Sequence, residues 1–339
     1  MINTKYRLIA PKQIRADYCE LELNKENVIV RPTYLAICAA DQRYYTGSRG
    51  RVIMKQKLPM SLIHEGVGEV VFDPKGQYPV GTHVVMIPNT PATHDEIIKD
   101  NYLRTSKFRA SGFDGFMQDF VSMDRNLIVP FYKVQPNVAV LSEVLSVAYN
   151  ALDTFKKHAN ENMDTIGVWG NGSIGFVMAL VLRYAFPNSK LIIFGVEEYK
   201  MPYFSFADET YLISEIPDDM VVDHAFECVG GRASSTAINQ IIDYIKPQGS
   251  ISLLGVSEKP VEINTRMILE KGIQLLGNSR SSYDDFKNAV ELMENHQEVR
   301  EYLSTIISEE MKVLKIEDMI NAFEEDLNNG FKTVMKWEI

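Results

Sequence analysis

The chain of 339 residues exceeds what one hydrophobic core usually organises, and its 45% apolar and 24% charged residues are the balance of a globular protein, not a disordered or fibrous one. A formal charge of -10 and a pI near 5.2 argue against a nucleic-acid or anionic-membrane surface, since both need clustered positive charge. The opening MINTKYRLIAPKQ lacks the apolar centre of a signal peptide and no apolar run is long enough to span a bilayer; with only Cys19, Cys38 and Cys228, widely spaced and odd in number, this predicts reduced thiols and a cytoplasmic location.

To about residue 145 the chain reads as short strands cut by turn signals: NVIVRP, GVGEVVFDPKGQYPVGTHVVMIPN and GFMQDFVSM. From about Val144 helices alternate with nearly continuous apolar strands, as in LSVAYNALDTFKKH, TIGVWG, SIGFVMALVLRYAF, KLIIFG and GSISLLGV, the texture of a parallel sheet covered on both faces. The expectation is an α/β chain: a β-rich domain over residues 1–147, a doubly wound parallel sheet over 148–281, and a tail over 282–339 whose last stretch, FKTVMKWEI, pairs back into the first domain.

In TIGVWGNGSIGFVMALVL, Gly170, Gly172 and Gly175 form G-x-G-x-x-G directly after an apolar strand and before a helix, the context in which the pattern means dinucleotide binding. Ser173 and Ile174 then lie at a helix N-terminus suited to a pyrophosphate. The next strand, KLIIFG, ends on Gly195 where an NAD site would carry a carboxylate for the ribose 2′-OH, and Lys200 follows within reach of a 2′-phosphate, which favours NADPH. Glu197 or Glu198 would serve as the ribose acceptor if the strand ran further.

Cys38 in AICAADQRYY, His64 and Glu65 in SLIHEGVGEV, and Glu143 in VLSEVLSVAYNAL supply a soft thiolate, an imidazole and carboxylates, a donor set suited to catalytic zinc. Taken singly, each has an ordinary structural reading: a packed cysteine, a hydrogen-bonded core histidine, a solvated carboxylate. In this order, ahead of the glycine fingerprint, they resemble the zinc-dependent medium-chain dehydrogenase/reductase family, and its polyol dehydrogenase branch in particular. Cys38 and Asp41 match its Cys-x-x-Asp segment, His64-Glu65 its His-Glu, and Glu143 the glutamate opening the helix before the nucleotide domain. The resemblance implies a GroES-like catalytic domain beside a Rossmann domain, and one catalytic zinc held in the cleft by Cys38, His64 and one or both of Glu65 and Glu143.

Three departures stand out. Ile63 replaces the glycine usual before the histidine; residues 84 to 124 contain no cysteine for a four-cysteine structural zinc, so one zinc is expected; and Ala40 replaces a hydroxyl that relays a proton, leaving water, Tyr44 or Glu143 for that step.

Within the family, CAADQRYYTGSR, LPMSLIHEGVGEVV, SGFDGFMQDFV, VDHAFECVGGR and LEKGIQLLGNSRSS look like the ribulose-5-phosphate reductases, which make ribitol 5-phosphate for CDP-ribitol and teichoic acid or capsule synthesis. That likeness implies a sugar phosphate bound by arginines, for which Arg43, Arg49, Arg51 and Arg280 are candidates, Arg280 foremost. It also implies reduction of the substrate carbonyl by NADPH with zinc as Lewis acid, a homodimer, and a ribitol-5-phosphate cytidylyltransferase as a partner that takes the product. Two alternatives remain at this level: an NAD-dependent polyol dehydrogenase acting on an unphosphorylated sugar alcohol, and a nucleotide-binding relative without catalysis, which would typically lack the zinc donors.

Overall fold

The computed structural model describes all 339 residues, which form two compact units: Met1–Ser146 with Ser281–Ile339, and Val147–Arg280. No helix is long and apolar enough to cross a membrane.

The first unit is built on β-sheet. A hairpin of Ile2–Ala10 and Gln13–Glu20 turns at Lys12, whose φ of 62° is left-handed, and takes Met60–Ser61 as a third strand. The larger sheet orders Ile128–Pro130, His83–Met86, Glu65–Phe72, Asn27–Ala36, Lys332–Trp337 and Ile307–Val313, with Val121–Asp124 paired to Asn27–Ala36. The terminal strand Lys332–Trp337 is thus interior to the sheet, antiparallel to Asn27–Ala36 and parallel to Ile307–Val313. Its placement sets Val334 opposite Ala36, which brings Lys332 alongside the start of the Cys38 segment. The apolar core here is formed by Leu35, Ile37, Tyr44, Ile63, Met86, Phe116, Met335 and Trp337 among others.

The expected strand in GFMQDFVSM is confined to Val121–Asp124. Upstream, the backbone bonds outward instead, Phe116 N–H to the Ile63 carbonyl at 2.8 Å and Tyr6 N–H to the Met117 carbonyl at 2.9 Å.

The second unit is the doubly wound sheet. Six parallel strands stand in the order Glu209–Leu212, Lys190–Gly195, Thr165–Trp169, His224–Glu227, Ser250–Leu253, Gln274–Gly277. In chain order that is third, second, first, fourth, fifth, sixth, so the connection reverses beside the first strand, and the crevice outside the strand ends at such a reversal is where dinucleotides bind. The Val, Ile and Phe content follows from burial on both faces: five of the six residues in Lys190–Gly195 are inaccessible. Helix Ser173–Ala185, apolar on nearly every face, is buried from Gly175 to Leu182.

Candidate metal and cofactor sites

Cys38 ends the strand Asn27–Ala36 by two residues and caps the helix Ala39–Tyr45, so its side chain is fixed at a strand-to-helix junction. His64 immediately precedes the neighbouring strand Glu65–Phe72, which Glu65 opens and in which Glu65 pairs with Ala36. The pairing brings the Cys38 sulfur, a His64 ring nitrogen and a Glu65 carboxylate oxygen within 4.8 Å of one another.

Asp41 organises the group. One of its oxygens accepts the Ile63 N–H at 3.0 Å; the other lies 3.2 Å from His64 Nδ1 and accepts the Cys38 N–H at 3.3 Å. With Nδ1 engaged, Nε2 is the ring nitrogen left for a metal, and an outer carboxylate of this kind orients the ring and raises its basicity. The Phe108 ring packs 5.4 Å from the imidazole. Ile63, where the family has glycine, is fully buried and carries φ of 69°, a conformation that a β-branched residue adopts only at a cost. Its N–H to Asp41 and its carbonyl, which accepts from Phe116, hold it there.

Sequence reasoning missed Lys332. Its ammonium donates to Glu65 Oε1 at 2.5 Å and to the Ile37 carbonyl at 3.3 Å, while Glu65 Oε2 is buried without a hydrogen-bond partner. The available signal was a lysine inside an otherwise buried strand, since such a charge needs a partner. Burial alone would lower the His64 pKa, but Asp41 and then Cys38 outweigh it and hold the imidazole well above the ordinary histidine range. Lys332 is likewise held above its usual range against burial, by Glu65 first and then Cys38. Glu143, in the first turn of helix Ser142–His158, is 7% exposed; burial pushes its carboxyl up to about 7 against the lowering effect of His64, with Glu65 adding to the rise.

These features fit a divalent cation: one soft and two harder donors converge, one carboxylate oxygen is left without a partner, and cationic His64 and Lys332 offset the anionic donors where no metal is bound. Glu143 lies outside the set of three that meet within 4.8 Å.

The other residues singled out from the sequence are placed as follows. Tyr44 is buried, with the Arg49 guanidinium 4.9 Å above its ring. Arg43 lies in the last turn of the same helix, Arg51 is exposed at the start of helix Arg51–Lys57, and Arg280, half-buried with φ of 58°, closes the second unit. Burial lowers the Arg280 pKa from its ordinary value.

In the second unit Gly170 has φ of 116°, and a Cβ on Gly175 would stand 1.8 Å from the Gly170 carbonyl oxygen, so the strand passes into the helix by a turn that only glycine permits. A Cβ on Gly172 would meet nothing within 4 Å, which leaves the backbone open to a phosphate beside Ser173 and Ile174 at the helix N-terminus. These are the features a dinucleotide requires. Gly195 ends its strand, but its lack of a side chain has a local cause: a Cβ there would lie 2.3 Å from Asn171 Cγ. Lys200 is buried in the turn Glu198–Phe204, its ammonium 2.5 Å from Glu197.

The family models described as an alcohol dehydrogenase GroES-like domain and a zinc-binding dehydrogenase match residues 24–133 and 195–295. The chain is 52% identical to a ribulose-5-phosphate reductase of Bacillus spizizenii over the full length of both, and 50% identical to ribulose-5-phosphate reductase 1 of Staphylococcus aureus over 99% of each. Among solved structures it resembles Staphylococcus aureus TarJ in complex with NADPH, with a TM-score of 0.90, 46% identity and complete coverage of both chains. The chain therefore belongs to the zinc-binding alcohol dehydrogenase family, in the branch that holds the ribulose-5-phosphate reductases.

Proposed function

We propose that this chain reduces D-ribulose 5-phosphate to D-ribitol 5-phosphate with NADPH, using one zinc held by Cys38, His64 and Glu65, with Glu143 as the exchanging or additional donor. The observation that carries the chemistry is the convergence of part-buried Cys38 with buried His64 and Glu65, one Glu65 oxygen being partnerless; full-length likeness to named reductases supports the substrate. Zinc bound there would supply a Lewis acid for the substrate carbonyl, and NADPH the hydride. Asp41 orients the His64 ring, Lys332 holds one Glu65 oxygen, and the fingerprint Gly170, Gly172, Ser173, Ile174, Gly175 takes the pyrophosphate, with Gly195 and Lys200 at the ribose end. Tyr44 and Glu143 are the side chains proposed for the proton route, and Arg43, Arg49 and Arg280 for the substrate phosphate, where planar guanidinium groups pair two oxygens at once.

The enzyme is cytoplasmic and homodimeric in this reading. The outer strand Gln274–Gly277 supports the dimer: it is exposed at three of four residues, and Leu269 beside it in sequence is 81% exposed, an edge that a second copy could cover. Its product suits a ribitol-5-phosphate cytidylyltransferase leading to CDP-ribitol and teichoic acid or capsule. Comparing NADPH-driven reduction of ribulose 5-phosphate and of ribulose, on protein of known zinc content, tests the reading.

A further inference from the structure

Beyond the end of the strand Lys190–Gly195, Glu197 is bonded at its main-chain carbonyl by Asn171 and at its carboxylate by Lys200. A Cβ on Gly195 would lie 2.3 Å from Asn171 Cγ and 2.7 Å from Asn171 Cβ, so rotating the asparagine would not clear it. Asn171 is also 3% exposed, and its Nδ2 donates to the Glu197 carbonyl at 2.7 Å. Position 195 is thus closed to the carboxylate that binds a free ribose in many NAD sites. The acidic group held in place beside it is Glu197. Its side chain is 42% exposed; Oε2 accepts from Lys200 Nζ at 2.5 Å and Oε1 from the Tyr199 hydroxyl at 3.3 Å. The Lys200 side chain is only 7% exposed.

We propose that Glu197 and Lys200 together set the choice between NADPH and NADH, with Asn171 as the positioning residue that fixes Glu197. A bare carboxylate at this strand end accepts from a ribose hydroxyl and repels a 2′-phosphate. Here the Lys200 ammonium cancels the Glu197 charge, so the phosphate meets a neutral pair with a cation in it. Lys200 alone is not the selecting group; it works by what it does to Glu197. The proposal rests on the NADPH reading above.

Calorimetric titration with NADPH and with NADH, on the wild type, Lys200→Met, Glu197→Gln and the double variant, tests it without reference to turnover. Lys200→Met should weaken NADPH about tenfold or more, because it leaves the Glu197 carboxylate uncompensated beside the 2′-phosphate, and NADH by less than about threefold. Adding Glu197→Gln should recover most of that loss, because the repelling charge is gone. Equal weakening of both cofactors by Lys200→Met, or a double variant no better than Lys200→Met, would overturn the proposal. Lys200 is buried and its substitution risks misfolding, so Glu197→Gln alone, at a part-exposed site, is the independent arm: it should move the ratio of affinities toward NADPH by about threefold or more, and an unchanged ratio would also overturn it. A wild type that prefers NADH would overturn the NADPH reading together with this proposal, whereas a wild type that prefers NADPH with insensitive variants would overturn this proposal alone.

Discussion

Lys332 and Glu65, 267 residues apart in the chain, form a buried ion pair at 2.5 Å, with side chains 8% and 1% exposed. Removing one partner strands the other charge in the interior, which typically costs about 3–5 kcal/mol. Lys332→Met should therefore lower the stability of metal-free protein by that order in denaturant unfolding, and Glu65→Gln in the same chain should return part of it. Zinc should narrow the loss, since a cation then takes over the compensation. A Lys332→Met variant as stable as the wild type would show that the pair is not formed.

Asp41 touches no proposed reactant, yet it joins Cys38, Ile63 and His64. Asp41→Asn keeps the shape but loses the charge that holds the imidazole. It should weaken zinc by about 10–100-fold, the usual effect of losing such a carboxylate behind a metal-binding histidine. Competition with a chromogenic chelator measures this; unchanged zinc affinity would mean that His64 orients itself without Asp41.

Ile63 reverses the ordinary ranking of substitutions. Both Ile63→Ala and Ile63→Gly lose buried volume, at about 2–5 kcal/mol for a large-to-alanine change. Glycine alone also relieves the left-handed backbone, worth about 1–2 kcal/mol, so Ile63→Gly should be no less stable than Ile63→Ala despite its smaller side chain. A clear advantage for alanine in thermal unfolding would contradict the assigned conformation.

Glu227 gives a pH dependence within the second unit. It is fully buried, and burial raises its carboxyl to about 7 although the Val229 and Gly255 N–H groups favour the charged form. With the folded pKa above the unfolded one, its contribution is fully present below the unfolded value and is lost as pH rises through the folded value. Between about pH 5 and about pH 7.5 the wild type should lose roughly 2–3 kcal/mol relative to Glu227→Gln. Parallel stability profiles for the two proteins would show that Glu227 titrates normally.

Local pattern made much of this legible in the sequence. The alternation of helices with apolar strands marked the doubly wound sheet, and the placement of Gly170, Gly172 and Gly175 between strand and helix marked its crevice. Cys38, His64, Glu65 and Glu143 are grouped before any coordinates by their order along the chain and its likeness to the family's donor set, and the structure brings the first three within 4.8 Å of one another. What local pattern could not carry was long-range register. Lys332 meets Glu65 only because the terminal strand inserts beside Asn27–Ala36. Gly195 looked like a missing carboxylate, but contact with Asn171, 24 positions earlier, requires its small size. Ile63 in a left-handed conformation runs against its own propensity and is imposed by bonds to Asp41 and Phe116.

The phosphate preference tests the account most directly. A site built around a phosphate leaves its cations unsatisfied when the phosphate is missing, so NADPH-driven kcat/KM for ribulose 5-phosphate should exceed that for ribulose by roughly 100-fold or more on zinc-loaded protein. Arg280→Ala should narrow that gap; alanine bears the same left-handed cost as arginine at φ of 58°, so the change reports on the guanidinium. Equal kcat/KM for the two ketoses, or full activity in protein shown to be free of metal, would contradict the account.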